Sequence, residues 1–292
     1  MRSGYGAVQS DEDVVSISKD TDHSCPSIAA NSKRNLELAA IFASGLLFGI
    51  LLTVTIQYLS PPTTNWLLQQ TNTWTPLLDR HTLTLHDIFV NGSIFNDPYS
   101  IYRDAPSPEV DAAWSAISTV RPFPITSSEV LHLGKDPTQA VRIPEPWGYG
   151  PDMHFAELDS QHLLHCLNTV RKYAHHNYYF AEYSNSTETL PRMLAVHRDH
   201  CIGMLLEALT CRPSMNVVTF EWMETQRFPF PDFGVRRKCV DYGGLLEWQK
   251  GAEVKGWEEK AEGLKRPEGA RVMPALKGLL EVGEEMGRNV GR

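Results

Sequence analysis

The sequence has no long run of Lys or Arg, and its 292 residues carry a formal net charge of −8. The electrostatic footprint of a nucleic-acid binder is therefore missing, and the acidity serves solubility. There is no Gly-rich phosphate loop, no GxSxG motif and no flavin or nicotinamide fingerprint. Redox chemistry in this chain would have to rest on a metal. Cysteine is scarce, at five residues. C-x-x-C pairs are missing, and the His and Cys spacing is not that of a familiar zinc finger.

Charge is also missing from one long stretch. Leu38 to Leu59 reads LAAIFASGLLFGILLTVTIQYL without an Asp, Glu, Lys or Arg. A helix of that length rises roughly 30 Å, enough to cross a bilayer core. Cleaved signal peptides have shorter apolar regions near the start, whereas more than thirty mostly polar residues precede this one. A retained transmembrane helix over residues 36–59 is expected. Lys33 and Arg34 precede it, and the next basic residue is Arg80. The positive-inside rule then predicts a single-pass protein of the endomembrane system, with a cytosolic N-terminus and a lumenal C-terminal bulk. Two sequons, Asn91-Gly92-Ser93 and Asn185-Ser186-Thr187, fall on the lumenal side and are candidate glycosylation sites. Gly45 and Gly49 form a GxxxG pattern that lets two anchor helices approach closely, as a homodimer or a heterodimer would require.

The composition changes along the chain. Residues 1–35 read as a disordered cytosolic tail and 60–80, with Pro61-Pro62, as a stalk. Residues 81–249 read as one lumenal domain, mainly α with some short strands (α+β). Residues 250–292 read as a charged, poorly ordered tail, with a marginal helix hinted at by Leu276, Leu279, Leu280 and Val282. Alternating apolar positions predict strands within residues 81–95. Ser107-Pro108-Glu109 predicts a capped helix over 108–117, with Val110, Trp114 and Ile117 on one face. Two more helices are expected over 156–173 and 193–209.

Those two helices carry the chemistry. His162-Leu163-Leu164-His165-Cys166 and His197-Arg198-Asp199-His200-Cys201 are two copies of His-x-x-His-Cys in a chain with 11 histidines. Residues three and four apart are neighbours on a helix, so each module places two imidazoles and a thiol on one face. Facing each other, the modules would offer four imidazoles and two thiols. Imidazole suits copper, zinc, iron and nickel, and copper has the highest intrinsic affinity. Cys166 and Cys201 have two readings, metal ligands or a disulfide joining the helices. Cys211 and Cys239 lack helical His neighbours and are expected to form a disulfide in an oxidising lumen. His154, His175 and His176 read as surface histidines, and Arg171 and Lys172 as residues complementing a helix C-terminus.

These segments resemble the UstYa-like proteins of fungal secondary metabolism. Ser107-Pro108-Glu109-Val110-Asp111-Ala112-Ala113-Trp114 is similar to that family's PSxEVDxAW block. His162 to Asn168 with Arg171-Lys172 is similar to its HxxHCLNxxRK block, and His197 to Ile202 with Cys211 to its second HxxHC block. Cys239-Val240-Asp241-Tyr242 with Trp248 is similar to its C-terminal pattern. The sequence departs from the family at Arg237, where a His is often found, and at Leu205-Leu206-Glu207. The resemblance implies an oxidase that tailors peptides or related natural products by oxidative cyclisation, hydroxylation or desaturation, in mycotoxin and other secondary-metabolite biosynthesis. It implies copper as cofactor. It makes His162, His165, His197 and His200 the metal ligands and catalytic centre, with Cys166 and Cys201 as further ligands or a structural bond. The alternative is a non-catalytic membrane partner or scaffold of a homologous oxidase, with a structural metal site.

The charge pattern around the apolar helix leads to a first prediction. In sealed microsomes, residues 81–249 should resist added protease, and Asn91 and Asn185 should carry glycans removable by endoglycosidase. Digestion of that region from the cytosolic side would reverse the topology.

Overall fold

The computed structural model describes residues 28–60, 62–184, 192–275 and 277–278. The chain divides into two units between Pro62 and Thr63. The first is helix α1, Ile28–Leu59. Its segment Ser32–Leu59 is long and apolar enough to cross a membrane, with a mean hydropathy of 2.3 and none of its apolar window buried. The helix begins eight residues before the expected residue 36, so it takes in Lys33 and Arg34.

The second unit is mostly helical with a few short strands. It opens with α2 (Thr64–Thr71) and α3 (Pro76–Arg80), each capped by a threonine hydroxyl. Strand β1 (Leu85–Val90) leads to α4 (Pro108–Ser118), β2 (Phe123–Thr126) and α5 (Ser127–His132). Then come β3 (Met153–Ala156), α6 (Asp159–Ala174), α7 (His176–Tyr179), α8 (Ala181–Ser184) and α9 (Arg192–Cys211). Strands β4 (Thr219–Glu221), β5 (Phe230–Asp232) and β6 (Val235–Val240) precede α10 (Tyr242–Ala252) and α11 (Trp257–Glu262). The described strands make three two-stranded antiparallel sheets, β1 with β6, β2 with β3 and β4 with β5.

Two expected boundaries move. The stretch read as a stalk belongs largely to the folded unit. Leu78 is in the core, and Asn65 donates to the carbonyls of Leu78 and His81 at 2.6 and 2.7 Å while accepting from the Leu83 amide. Arg80 pairs with Glu129 at 2.6 Å, the same Glu that closes a capping box with Thr126 at the start of α5. The stretch after residue 249 is also partly folded. Val254 is buried, its amide bonds the Pro122 carbonyl at 2.8 Å, and Trp257 packs on Phe155 with ring centres 4.9 Å apart. The hinted helix at Leu276, Leu279, Leu280 and Val282 lies outside the described residues, as do residues 1–27 of the expected tail.

The core gathers Leu78, Leu83, Phe123, Ile125, Val130, Leu158 and Leu245, with Trp248 packed edge-on against Phe123. Apolar burial of this kind supplies most of the folding free energy. The helix that carries the first His module, α6, is fixed to this body by polar bonds on one face. At its first turn, buried Gln161 donates to the Ile117 carbonyl at 2.6 Å and accepts from the Tyr242 hydroxyl at 3.2 Å. Further on, Asn168 donates to Ser118 Oγ at 3.1 Å. Arg171 donates to Asn168 at 3.0 Å and to Asp111 at 2.8 Å. Its guanidinium also lies between the rings of Trp114 and Tyr179, 5.2 and 5.1 Å from their centres. Arg171 is therefore a buried cross-helix pair, not the dipole-complementing residue its position suggests.

Arg171→Ala should accordingly cost about 2–3 kcal/mol, since it leaves the partly buried Asp111 carboxylate without its counter-charge and with the Tyr179 hydroxyl as its remaining donor. Lys238→Ala removes an exposed pair with Asp87 and should cost less than about 1 kcal/mol. Urea unfolding of the full chain in micelles checks both. Equal costs would show that α6 is not held this way.

Candidate metal centre between two helices

Beside the stripe of α6 engaged by α4, the helix presents His162, His165 and Cys166, and α9 packs there. The pairing is antiparallel. His162 meets His200 with ring centres 5.7 Å apart, and His165 meets His197 at 5.5 Å. The Tyr173 hydroxyl donates to the Leu194 carbonyl at 2.7 Å, and Arg198 lies over the Tyr173 ring. Cys166 and Cys201 are both completely buried free thiols. The Cys166 sulfur also lies 3.7 Å from His162 Nε2. The residues singled out in the sequence on these helices thus meet at one helix interface.

Burial pushes the Cys166 thiol up to about 12, and the neighbouring Cys201 adds to the effect. His165 is held below the ordinary histidine value, first by burial and then by the positive charge of His197, His162 and Lys172. Its unshared nitrogen pair is thus kept available. His162, His165 and His197 are half-buried and His200 is exposed, so the His face opens to solvent while the thiols behind it do not. Among the described residues, no three His, Cys, Asp or Glu side chains converge on a single point as a ready-made ion cage. The imidazoles instead form two facing pairs.

The remaining cysteines depart from expectation. Cys211 and Cys239 are free thiols, not a disulfide. Cys211 ends α9, where the adjacent Arg212 is tied to Thr71 and Asn72, whereas Cys239 lies in β6 opposite His86. The two are held on different elements. His154 is not a surface residue but fully buried, with Nε2 2.9 Å from Ser127 Oγ and Nδ1 3.2 Å from the Ala140 carbonyl. Ser127 in turn bonds Asp152, whose carboxyl this bond holds below the usual range. This cluster ties α5 to β3 and takes no part in the helix-pair site. His175 is exposed, as expected, and His176 is half-buried. Asn91 is exposed at the end of β1, where its side chain accepts from the Ser93 amide at 2.8 Å. The neighbouring Gly92 has no room for a side chain, since a Cβ would stand 2.2 Å from the Phe233 backbone. Asn185 lies outside the described residues.

A helical domain with paired His-x-x-His-Cys modules, preceded by an apolar helix, defines the class. A family model described as "Mycotoxin biosynthesis protein UstYa" matches residues 28–252. The chain belongs to the UstYa family. It is 34% identical over 224 residues to the UstYa family oxidase aprY of Aspergillus flavus, covering 74% of this chain and 66% of that relative, just under two thirds. It is 28% identical over 259 residues to the UstYa family oxidase phomYc of Diaporthe leptostromiformis, covering 87% of this chain and 98% of that one. These names place the chain in a family of oxidoreductases. No solved structure matches it.

The lowered affinity of His165 for protons has a measurable consequence. Below the ordinary histidine value the unfolded chain binds more protons at this residue than the folded one, so stability falls as pH drops through that range. In metal-stripped protein the thermal midpoint should fall by about 2–4 °C between about pH 7.5 and pH 5.5, and by less in His165→Gln. A midpoint equally pH-dependent in both proteins would remove His165 from the account.

Proposed function

We propose that this chain is a membrane-anchored oxidase that tailors a peptide or related natural product in fungal secondary metabolism, using copper held by His162, His165, His197 and His200. The observation that carries this reading is the meeting of four imidazoles, two from each module, on a solvent-open face. The donor set fits the metal. Imidazole nitrogens bind first-row ions at roughly 2 Å, which places two ring centres on one ion about 5–6 Å apart. The cross-helix pairs stand at 5.7 and 5.5 Å. Copper, when bound, cycles by single electrons, which zinc does not, and so supplies one-electron oxidation.

The protein's own part is positional. Helix α6 presents neutral imidazole at His165 because burial and neighbouring positive charge resist its protonation. Cys166 and Cys201 close the side of the interface away from solvent, either as a thiol pair or as further ligands. The exposed His200 leaves its own side open to solvent. The apolar helix α1 would hold the domain at a membrane, with residues 63 onward on the lumenal side as the charges at Lys33 and Arg34 favour. Asn91, exposed beside the Phe233 loop, would then be accessible for glycosylation.

A second reading, a non-catalytic partner of a homologous oxidase, draws on one feature. Helix α9 exposes Ile202, Leu206 and Leu209, an apolar face on the side away from α6. Substitution of the ligands separates the two. His165→Ala and His200→Ala, each at normal protein level, should lower product yield by at least about 100-fold, since even supporting residues of metal sites cost 10–100-fold. Unchanged yield in both variants would end the catalytic reading and leave the partner role.

A further inference from the structure

We propose that the hairpin of β4 and β5 dips its tip, Trp222, Met223 and Phe228, into the surface of the membrane that α1 would span, giving the folded unit a second lipid contact. The inference rests on the proposed membrane anchor and adds a surface and its occupant.

The hairpin leaves an apolar tip in water. Its pairing runs from Thr219 opposite Asp232 to Glu221 opposite Phe230, so residues 222–229 form the far end. There the Gln226 amide closes a turn on the Met223 carbonyl at 3.0 Å. Trp222 is 78% exposed, Phe228 72% and Met223 44%, and every residue over 211–229 is exposed. Aromatic side chains of this size are ordinarily well buried. The other end is fixed to the body. Phe233 packs against Gly92 with no room for a side chain between them, and Asn216 donates to the Arg236 carbonyl at 3.1 Å. The base is held and the tip projects.

Three observations favour lipid over a second protein as the occupant. The first is the tether. Only residues 60–62 lie between the end of α1 and the start of the folded unit. An extended chain crosses that gap with at most about 14 Å. A helix spanning the bilayer therefore keeps the start of the folded unit at the lipid surface, at an effective concentration that lets a small contact form. The second is area. The exposed parts of the three side chains amount to roughly 400 Å². Each partner in a standard protein interface buries about 800 Å², so the tip is too small for stable docking of protein. The third is the residue types. The Arg227 guanidinium lies 5.6 Å from the Phe228 ring centre. Rings with a long basic side chain suit the boundary, where the rings enter the acyl region and the guanidinium reaches the headgroup phosphates. Glu224, in the same turn, limits insertion to that boundary. Asn91 stands beside the base, so a glycan there would remain in water.

Trp222 is its own probe, because α1 contains no tryptophan. The full chain would be reconstituted in phosphatidylcholine nanodiscs with acyl chains either plain or brominated near the headgroup. Subtracting the emission of Trp222→Phe isolates Trp222 from the remaining six of the seven tryptophans. That difference signal should fall at least about twofold in brominated discs, and Phe228→Trp should add a second quenched signal. Both positions are exposed, so these exchanges leave the core untouched. Equal difference signals in the two kinds of disc would overturn the proposal and leave the anchor intact. Cross-linking between copies that is lost in Trp222→Ser would also overturn it, by making a second copy the occupant. Alkaline carbonate extraction tests α1 by itself, and release of the chain would overturn the anchor and this inference together.

Discussion

The bonds that Gln161 and Arg171 make toward α4 set the position of α6, and the rest of the candidate site is built outward from that helix. Gln161 directly precedes His162, and Arg171 lies one to two turns beyond His165, so the module is bracketed by two anchors. Both anchors are polar and buried. Their geometry is therefore more exacting than apolar packing would be, because a displaced buried donor or acceptor loses its partner at a cost of about 1–3 kcal/mol. Helix α9 is tied at its C-terminal end, where Arg212 donates to Thr71 and Asn72. Its one buried residue is Cys201, and it meets α6 through the Tyr173–Leu194 bond and the His pairs.

The first and second family blocks meet in space. Asp111 and Trp114 of the first block do not approach the His face at all. They receive Arg171, which belongs to the second block, and so convert a helix-helix contact into a fixed rotation of α6 about its own axis. A rotation of even one residue, about 100° on a helix, would turn His162 and His165 away from α9. The buried Trp114 supplies a flat wall for the guanidinium, and Tyr179 from the short α7 closes the other side. Substrate chemistry is thus proposed for His residues that stand beside the ones that orient α6.

The sequence by itself determined the apolar helix, the capped helix α4 and the two His-x-x-His-Cys helix faces. Apolar length without charge identifies α1, Ser107-Pro108 starts α4, and two copies of His-x-x-His-Cys can only be read as two helix faces of like chemistry. Local signals suffice there because caps and helical periodicity act within a few residues. Tertiary structure decided the rest. It turned the expected stalk into core by burying Leu78 and drew Val254 into the fold. It separated Cys211 from Cys239 and sank His154 against Ser127. It gave Arg171 a partner sixty positions earlier. Above all it set α9 antiparallel to α6, so that His162 faces His200 and not His197. Such contacts join residues far apart in the chain, and their direction depends on how each helix packs, which no short spacing encodes.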